Sequence, residues 1–129
     1  MKLLVTGAGG QLATELVRQA GDCQIVALTQ TEFDISDAAA VFRVVEKIAP
    51  DAVVNAAAHT AVDRAESEVE IAFAANRDGP AHLAAACAAS AIPLLHVSTD
   101  YVFDGTKAGA YTEEDPPGPG SLGDRKSVV

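Results

Sequence analysis

Residues 6–13 read TGAGGQLA, and their types and spacing suit one task, holding a diphosphate. Gly7 permits a tight turn, and Gly10 lets the backbone approach a pyrophosphate with no side chain in the way. Ala13, at the third position of this glycine fingerprint, is small enough for close helix–strand packing. A helix starting behind the turn would aim unpaired N–H groups and its positive dipole end at the phosphates. An apolar run precedes the turn and a helical pattern follows it, which is the setting that makes a glycine motif informative.

A dinucleotide site that selects NAD carries Asp or Glu at the end of the second strand, bonded to the ribose 2′-OH. Here that end reads ALTQTE, with Thr29 and Gln30 in the acid's place and Glu32 slightly late. A neutral residue leaves room for a 2′-phosphate, so the expected coenzyme is NADPH, with NADH as the second option. Arg18 and Arg43 are not evidently placed to pair with that phosphate.

Other chemically able groups have plainer readings. Asp63 and Glu66 could form a carboxylate pair but suit the first turn of a helix, where acids complement the dipole. His59 and His96 have no ligand-spaced partners and read as structural or site-lining. Cys23 and Cys87 lie far apart in apolar surroundings and read as free buried thiols, which fits a reducing cytoplasm. Thr99, taken alone, reads as a strand-end hydroxyl bonding the backbone.

The elements that must position these groups alternate strand and helix. Residues 2–6 form a short buried strand, and QLATELVRQAG a helix with Leu12, Leu16 and Val17 at helical spacing. CQIVALT is a second strand and EFDI a short third one. Ser36 caps a helix over 37–49 that buries Val41, Val44, Val45 and Ile48, closed by Pro50. DAVVNAAA is a fourth strand, buried on both faces for want of alternation. Residues 65–90 are alanine-rich and helical apart from a break near DGP, and IPLLHVSTD is a fifth strand. This rhythm predicts an α/β fold, a Rossmann-like doubly wound parallel sheet with strand order 3-2-1-4-5. After Gly105 the composition turns to Gly, Pro, Ser and charge, a loop or tail.

The chain has 129 residues, 49% hydrophobic, and a formal net charge of −9. That suffices for one domain with a core. Its nine Lys and Arg are scattered, which argues against nucleic acid or an anionic membrane as partner. The N-terminus is too short a run for a signal peptide, and no apolar stretch is long enough to span a bilayer.

Together VTGAGGQLATEL, FDISD, VVNAAAHTAVDRAE, AFAANRDGPAHLA and HVSTDYVFDGT resemble the dTDP-4-dehydrorhamnose reductases, extended short-chain dehydrogenases/reductases of dTDP-L-rhamnose synthesis. The resemblance covers about residues 1–117. It implies that Gly7, Gly10, Gln11 and Leu12 cradle the pyrophosphate and that Asp34 and Ile35 lie beside the adenine. It implies that Ala56, Ala57 and Ala58 pass beneath the adenosine ribose and phosphates. Thr60 and Val62 would begin the wall near nicotinamide and sugar. Thr99 would bond the C4 carbonyl oxygen of a dTDP-sugar, with Tyr101 touching the substrate and Ser98 placing its neighbour. Some members of the family use a glutamate at the position of Glu15 in a magnesium site at a dimer contact. The other ligands would lie outside this chain, so no metal is expected, and a homodimer belongs to the full-length protein.

In the family, the segment around Tyr111 runs into a catalytic Tyr-x-x-x-Lys helix. Here Gly123 stands about where the tyrosine belongs and Lys126 follows three residues later. The expectation is the N-terminal part of a reductase, inactive by itself. Residues 1–117 would be an incomplete NAD(P)-binding domain, and 118–129 a non-native-looking or disordered tail. The fifth strand would then be an edge with exposed apolar residues. A non-catalytic nucleotide-binding regulatory subunit, and a reductase or epimerase of another sugar nucleotide, are the alternatives.

Overall fold

The structure is a computed structural model that describes residues 1–58, 69–99 and 102–118. Strands β1 (Lys2–Thr6), β2 (Gln24–Leu28), β3 (Ala52–Asn55) and β4 (Leu94–His96) form one sheet in the order β2-β1-β3-β4. All three pairings are parallel, with Leu4 opposite Val26 and Val53, and Asn55 opposite His96. Helices α1 (Gln11–Arg18), α2 (Ala38–Ile48), α3 (Val69–Phe73) and α4 (Gly79–Ala89) connect them, α3 running into α4 through a π-helical turn at Ala74–Asp78.

Right-handed crossovers decide which face each helix covers. From β1 the chain steps sideways to β2 through α1. It then returns past β1 to β3 through α2 and steps onward to β4 through α4, so α2 and α4 share the opposite face from α1. Side-chain parity agrees. Leu4 and Val53 join Phe33, Ile35, Val41, Val45, Leu83, Ala86 and Cys87 in one buried cluster between the sheet and the α2/α4 layer. Val5, of opposite parity, is buried on the α1 side, where Ala13 is the buried residue of that helix.

The architecture and strand order match the expected doubly wound sheet, less one strand. EFDI is no strand: Glu32 N–H and Phe33 N–H both donate back to Thr29 O, so this backbone closes a turn and offers no ladder to β2. Its alternation is real but serves the core, since Phe33 and Ile35 are buried and Asp34 is exposed. Ser36 is not the cap of α2. Asp37 is, its Oδ1 accepting from Ala40 N–H at 3.1 Å, while Ser36 bonds Asp34.

Three further expectations shift. On α1 the inward residue is Ala13, while Leu12 and Val17 are exposed. The small side chain lets helix and strand approach, and the larger ones do not fit between. β3 is buried on one face only, at Val53 and Asn55, with Ala52 and Val54 half-covered. Cys87 is buried and its thiol pushed up by that burial, while Cys23 is half-exposed. The last strand does form an edge, with Leu95 58% and Val97 45% exposed. Among the described residues no helix is long and apolar enough to cross a membrane.

After β4, residues 102–118 fold back on themselves. Gly118 N–H donates to Val102 O, and Phe103 stacks on Tyr111 at 4.3 Å. Asp104 Oδ1 accepts from Thr106 N–H, the Thr106 hydroxyl and the Tyr111 hydroxyl, which holds its carboxyl below the usual range.

Candidate functional site

At the carboxyl end of the sheet, β1 leads the chain to one side and β3 to the other. A parallel sheet opens a crevice at such a reversal. The crevice here is a cleft of about 990 Å³ between the turn after β1, the strand end after β3 and the α3–π segment.

The turn after β1 is built by glycine. Gly7 has φ +76, and a Cβ there would lie 2.8 Å from the Ala56 carbonyl and the Ala57 nitrogen. No side chain can occupy that space without parting β1 from the strand end after β3. Gly10 N–H closes the turn onto Gly7 O at 3.1 Å, and a Cβ on Gly10 would meet the same oxygen. Gly10 then stands at the N-cap of α1 with no side-chain cap, and no acid lies in the first turn. By contrast α2 is capped by its own Asp37. The first-turn N–H groups of α1 are therefore left to a ligand at the cleft, and an anion is what they suit.

Gly7, Gly10, Gln11, Leu12, Asp34, Ile35, Ala56, Ala57 and Ala58, distant in sequence, all line this one cleft. Ser98 is exposed and Thr99 half-buried beyond β4, and neither is part of the lining. Thr60, Val62 and Tyr101 lie outside the described residues, as do His59, Asp63 and Glu66. Glu15 accepts from the Arg18 guanidinium and from Gln19, which holds its carboxyl low. No group of three or more potential metal ligands comes together among the described residues.

Sequence reasoning missed the far wall. Phe33, Ile71, Ala74 and Ala75 line the cleft, the last two from the π turn. Their small size was visible, but not the helix phase that turns them inward. At the second strand's end, Gln30 lines the cleft, and Glu32 does not. Glu32 Oε2 instead accepts from the Thr29 N–H at 2.9 Å and the Thr29 hydroxyl at 2.7 Å, which keeps its carboxyl low. The acid is thus folded back into its own turn.

Beneath the cleft floor runs a polar ladder across three strand ends. The Thr6 hydroxyl donates to Asn55 Oδ1 at 2.6 Å, and Ala57 N–H donates to the same oxygen at 3.1 Å. With Oδ1 so occupied, Asn55 Nδ2 is the donor toward His96 Nδ1, 3.0 Å away. Nδ1 must therefore be bare, which places the hydrogen on Nε2. The packing on one side of its ring pushes the His96 imidazole below its ordinary value of 6.5, although the residue as a whole is exposed at the sheet edge. The folded chain prefers the neutral ring, so the unfolded chain binds more protons below that value, and stability falls as pH drops through it. The melting temperature should decline between about pH 7 and 5, above the range in which the depressed carboxylates titrate. His96→Gln, which keeps an acceptor for Asn55, should flatten that decline; an unchanged slope would remove His96 as its source.

The RmlD substrate binding domain model matches residues 1–126. The dTDP-4-dehydrorhamnose reductase of Sinorhizobium fredii is 47% identical over 99% of this chain and 44% of its own length. That of Mycobacterium tuberculosis is 50% identical over 84% of this chain and 36% of its own length. Among solved structures, a dTDP-4-dehydrorhamnose reductase from Clostridium acetobutylicum superposes with a TM-score of 0.95 at 35% identity, over 99% of this chain and 46% of that one. One from Bacillus anthracis, solved in complex with NADP, gives 0.93 at 31% identity, over 98% of this chain and 46% of that one. The chain thus spans less than half the length of these relatives.

Proposed function

Since the chain belongs to the RmlD substrate binding domain family, we propose that its cleft binds NADPH. It would thereby form the coenzyme-holding part of a reductase that converts dTDP-4-dehydro-L-rhamnose to dTDP-L-rhamnose. The observation that carries this reading is the uncapped first turn of α1 opening on a cleft whose turn glycine admits no Cβ.

The residues present fit the coenzyme. Gly7 and Gly10 bring the backbone close enough for a pyrophosphate, and the N–H groups of Gln11 and Leu12 supply its donors. Ala56, Ala57 and Ala58 make a floor without bulk under ribose and phosphates. Asp34 Oδ1 is taken by the Ser36 N–H and hydroxyl, leaving Oδ2 to accept from the adenine amino group. Ile35 supplies the apolar wall. Gln30 at the 2′ position, with Glu32 folded away, leaves no acid against a 2′-phosphate. When bound, the reduced nicotinamide supplies the hydride for the C4 carbonyl carbon. The Thr99 hydroxyl donates to the C4 oxygen and polarises it, with Ser98 placing that residue. By the family resemblance, Thr60 and Val62 would begin the wall near nicotinamide and sugar, and Tyr101 would touch the substrate.

Titration of the chain with NADPH and with NADH, followed by nicotinamide fluorescence, tests the binding. NADPH should bind the more tightly. Gln30→Asp should shift the preference toward NADH by about tenfold, since a carboxylate and a 2′-phosphate a few ångströms apart repel by roughly 1–4 kcal/mol. Failure of both coenzymes to bind would sink the assignment.

A further inference from the structure

The adenine-side wall of the cleft is not self-supporting. Residues 33–36 are a turn without a strand partner, yet Asp34 and Ile35 face the cleft. Two residues of α4, one helical turn apart, fix this segment. The place that a Gly79 Cβ would take is filled by Ile35, whose Cγ1 and Cδ1 would both lie 2.6 Å from it. His82 Nδ1 stands 3.1 Å from Ile35 O, part-buried. A carbonyl only accepts, so Nδ1 carries the hydrogen and donates. Both contacts reach across 44 residues or more of sequence, and neither Gly79 nor His82 lines the cleft itself.

We propose that Gly79 and His82 are positioning residues for nucleotide binding: a notch and a hydrogen bond on α4 that together hold Ile35, and with it Asp34, in the geometry the adenosine half of the coenzyme requires. This rests on the cleft being the NADPH site. Gly79 admits the isoleucine side chain against the helix backbone, and His82 fixes the height of its carbonyl. Released from either, Ile35 swings toward the cleft and takes the neighbouring carboxylate with it. A positioned wall binds more tightly because the ordering is done before the ligand arrives.

The test uses the whole chain and adenosine 2′,5′-bisphosphate, which presents only the adenosine half. NADPH binding by the unaltered chain is established first; if it is absent, the site assignment and this inference fall together. Given binding, His82→Leu should weaken adenosine 2′,5′-bisphosphate by about fivefold, the worth of one net hydrogen bond. His82→Asn, whose Nδ2 stands where Nδ1 stood, should restore affinity to within about twofold on the same hydrogen-bond argument. Gly79→Ala should weaken it by at least as much as His82→Leu. Unchanged affinity in His82→Leu or Gly79→Ala overturns the proposal while leaving the coenzyme site in place. Equal losses in His82→Leu and His82→Asn, tracking their melting temperatures, also overturn it, by showing a role in stability alone.

Discussion

Gly7→Ala should abolish nucleotide binding and lower stability by about 2–4 kcal/mol, the sum of a left-handed alanine and an overpacked contact. The two contributions can be separated within the same turn. Gly7 and Gly9 both have positive φ, +76 and +91, but a Cβ on Gly9 meets nothing within 4 Å, whereas one on Gly7 meets backbone at 2.8 Å. Gly9→Ala therefore carries the conformational cost alone, roughly 1–2 kcal/mol. Thermal melts of the two variants, each paired with an NADPH titration, decide the matter. If Gly7→Ala melts no lower than Gly9→Ala, the close approach of the β1 turn to the β3 end is not what fixes the cleft.

Asn55→Leu should be comparably damaging, costing about 2–4 kcal/mol although leucine keeps asparagine's branching at Cγ. The side chain is fully buried, and its loss leaves the buried Thr6 hydroxyl and the part-buried Ala57 N–H without their acceptor. Asn55→Asp makes a sharper test. It keeps the oxygen that accepts from Thr6 and Ala57 but turns the His96 partner from donor to acceptor. Protonated His96 then becomes the favoured form, its folded-state pKa rises, and the stability this pair adds is present at low pH and lost as pH climbs. The slope of melting temperature against pH between about 5 and 7 should thus reverse sign relative to the parent chain. A parallel slope would mean that Asn55 and His96 do not share a hydrogen bond.

Much of this architecture was legible in the sequence because the signals were local. The glycine turn announces itself through Gly7 and Gly10, and the inner face of α2 through Val41 and Val45 at helical spacing, both buried as expected. Nine of the residues the family resemblance pointed to do meet in one cleft. What failed was decided at long range. EFDI has the alternation of a strand, but alternation records only that Phe33 and Ile35 go inward. Whether a segment pairs or turns depends on where its N–H groups find acceptors, and Thr29 O supplied one nearer than β2. The same holds for α1, where apolar spacing suggested Leu12 and Val17 as the buried side but the closeness of the sheet selected Ala13. His82 was invisible for the simplest reason, since its partner lies 47 residues away.

The π turn at Ala74–Asp78 has a consequence for helix phase. It holds one residue more than an α turn, which offsets the two flanking helices by the angle of a single residue, about 100°. Counted along an unbroken α-helix, Ile71, Ala74 and Ala75 would point roughly 90° away from Gly79, Leu83 and Ala86. The extra residue cancels that difference, so the residues that line the cleft and those that pack the core follow one another along one side of the rod. Straightening Ala74–Asp78 into a plain α turn would leave composition and apolar content untouched, yet it would swing the cleft wall away from its ligand. In this segment residue count, more than residue type, keeps a binding surface and a packing surface on one rod.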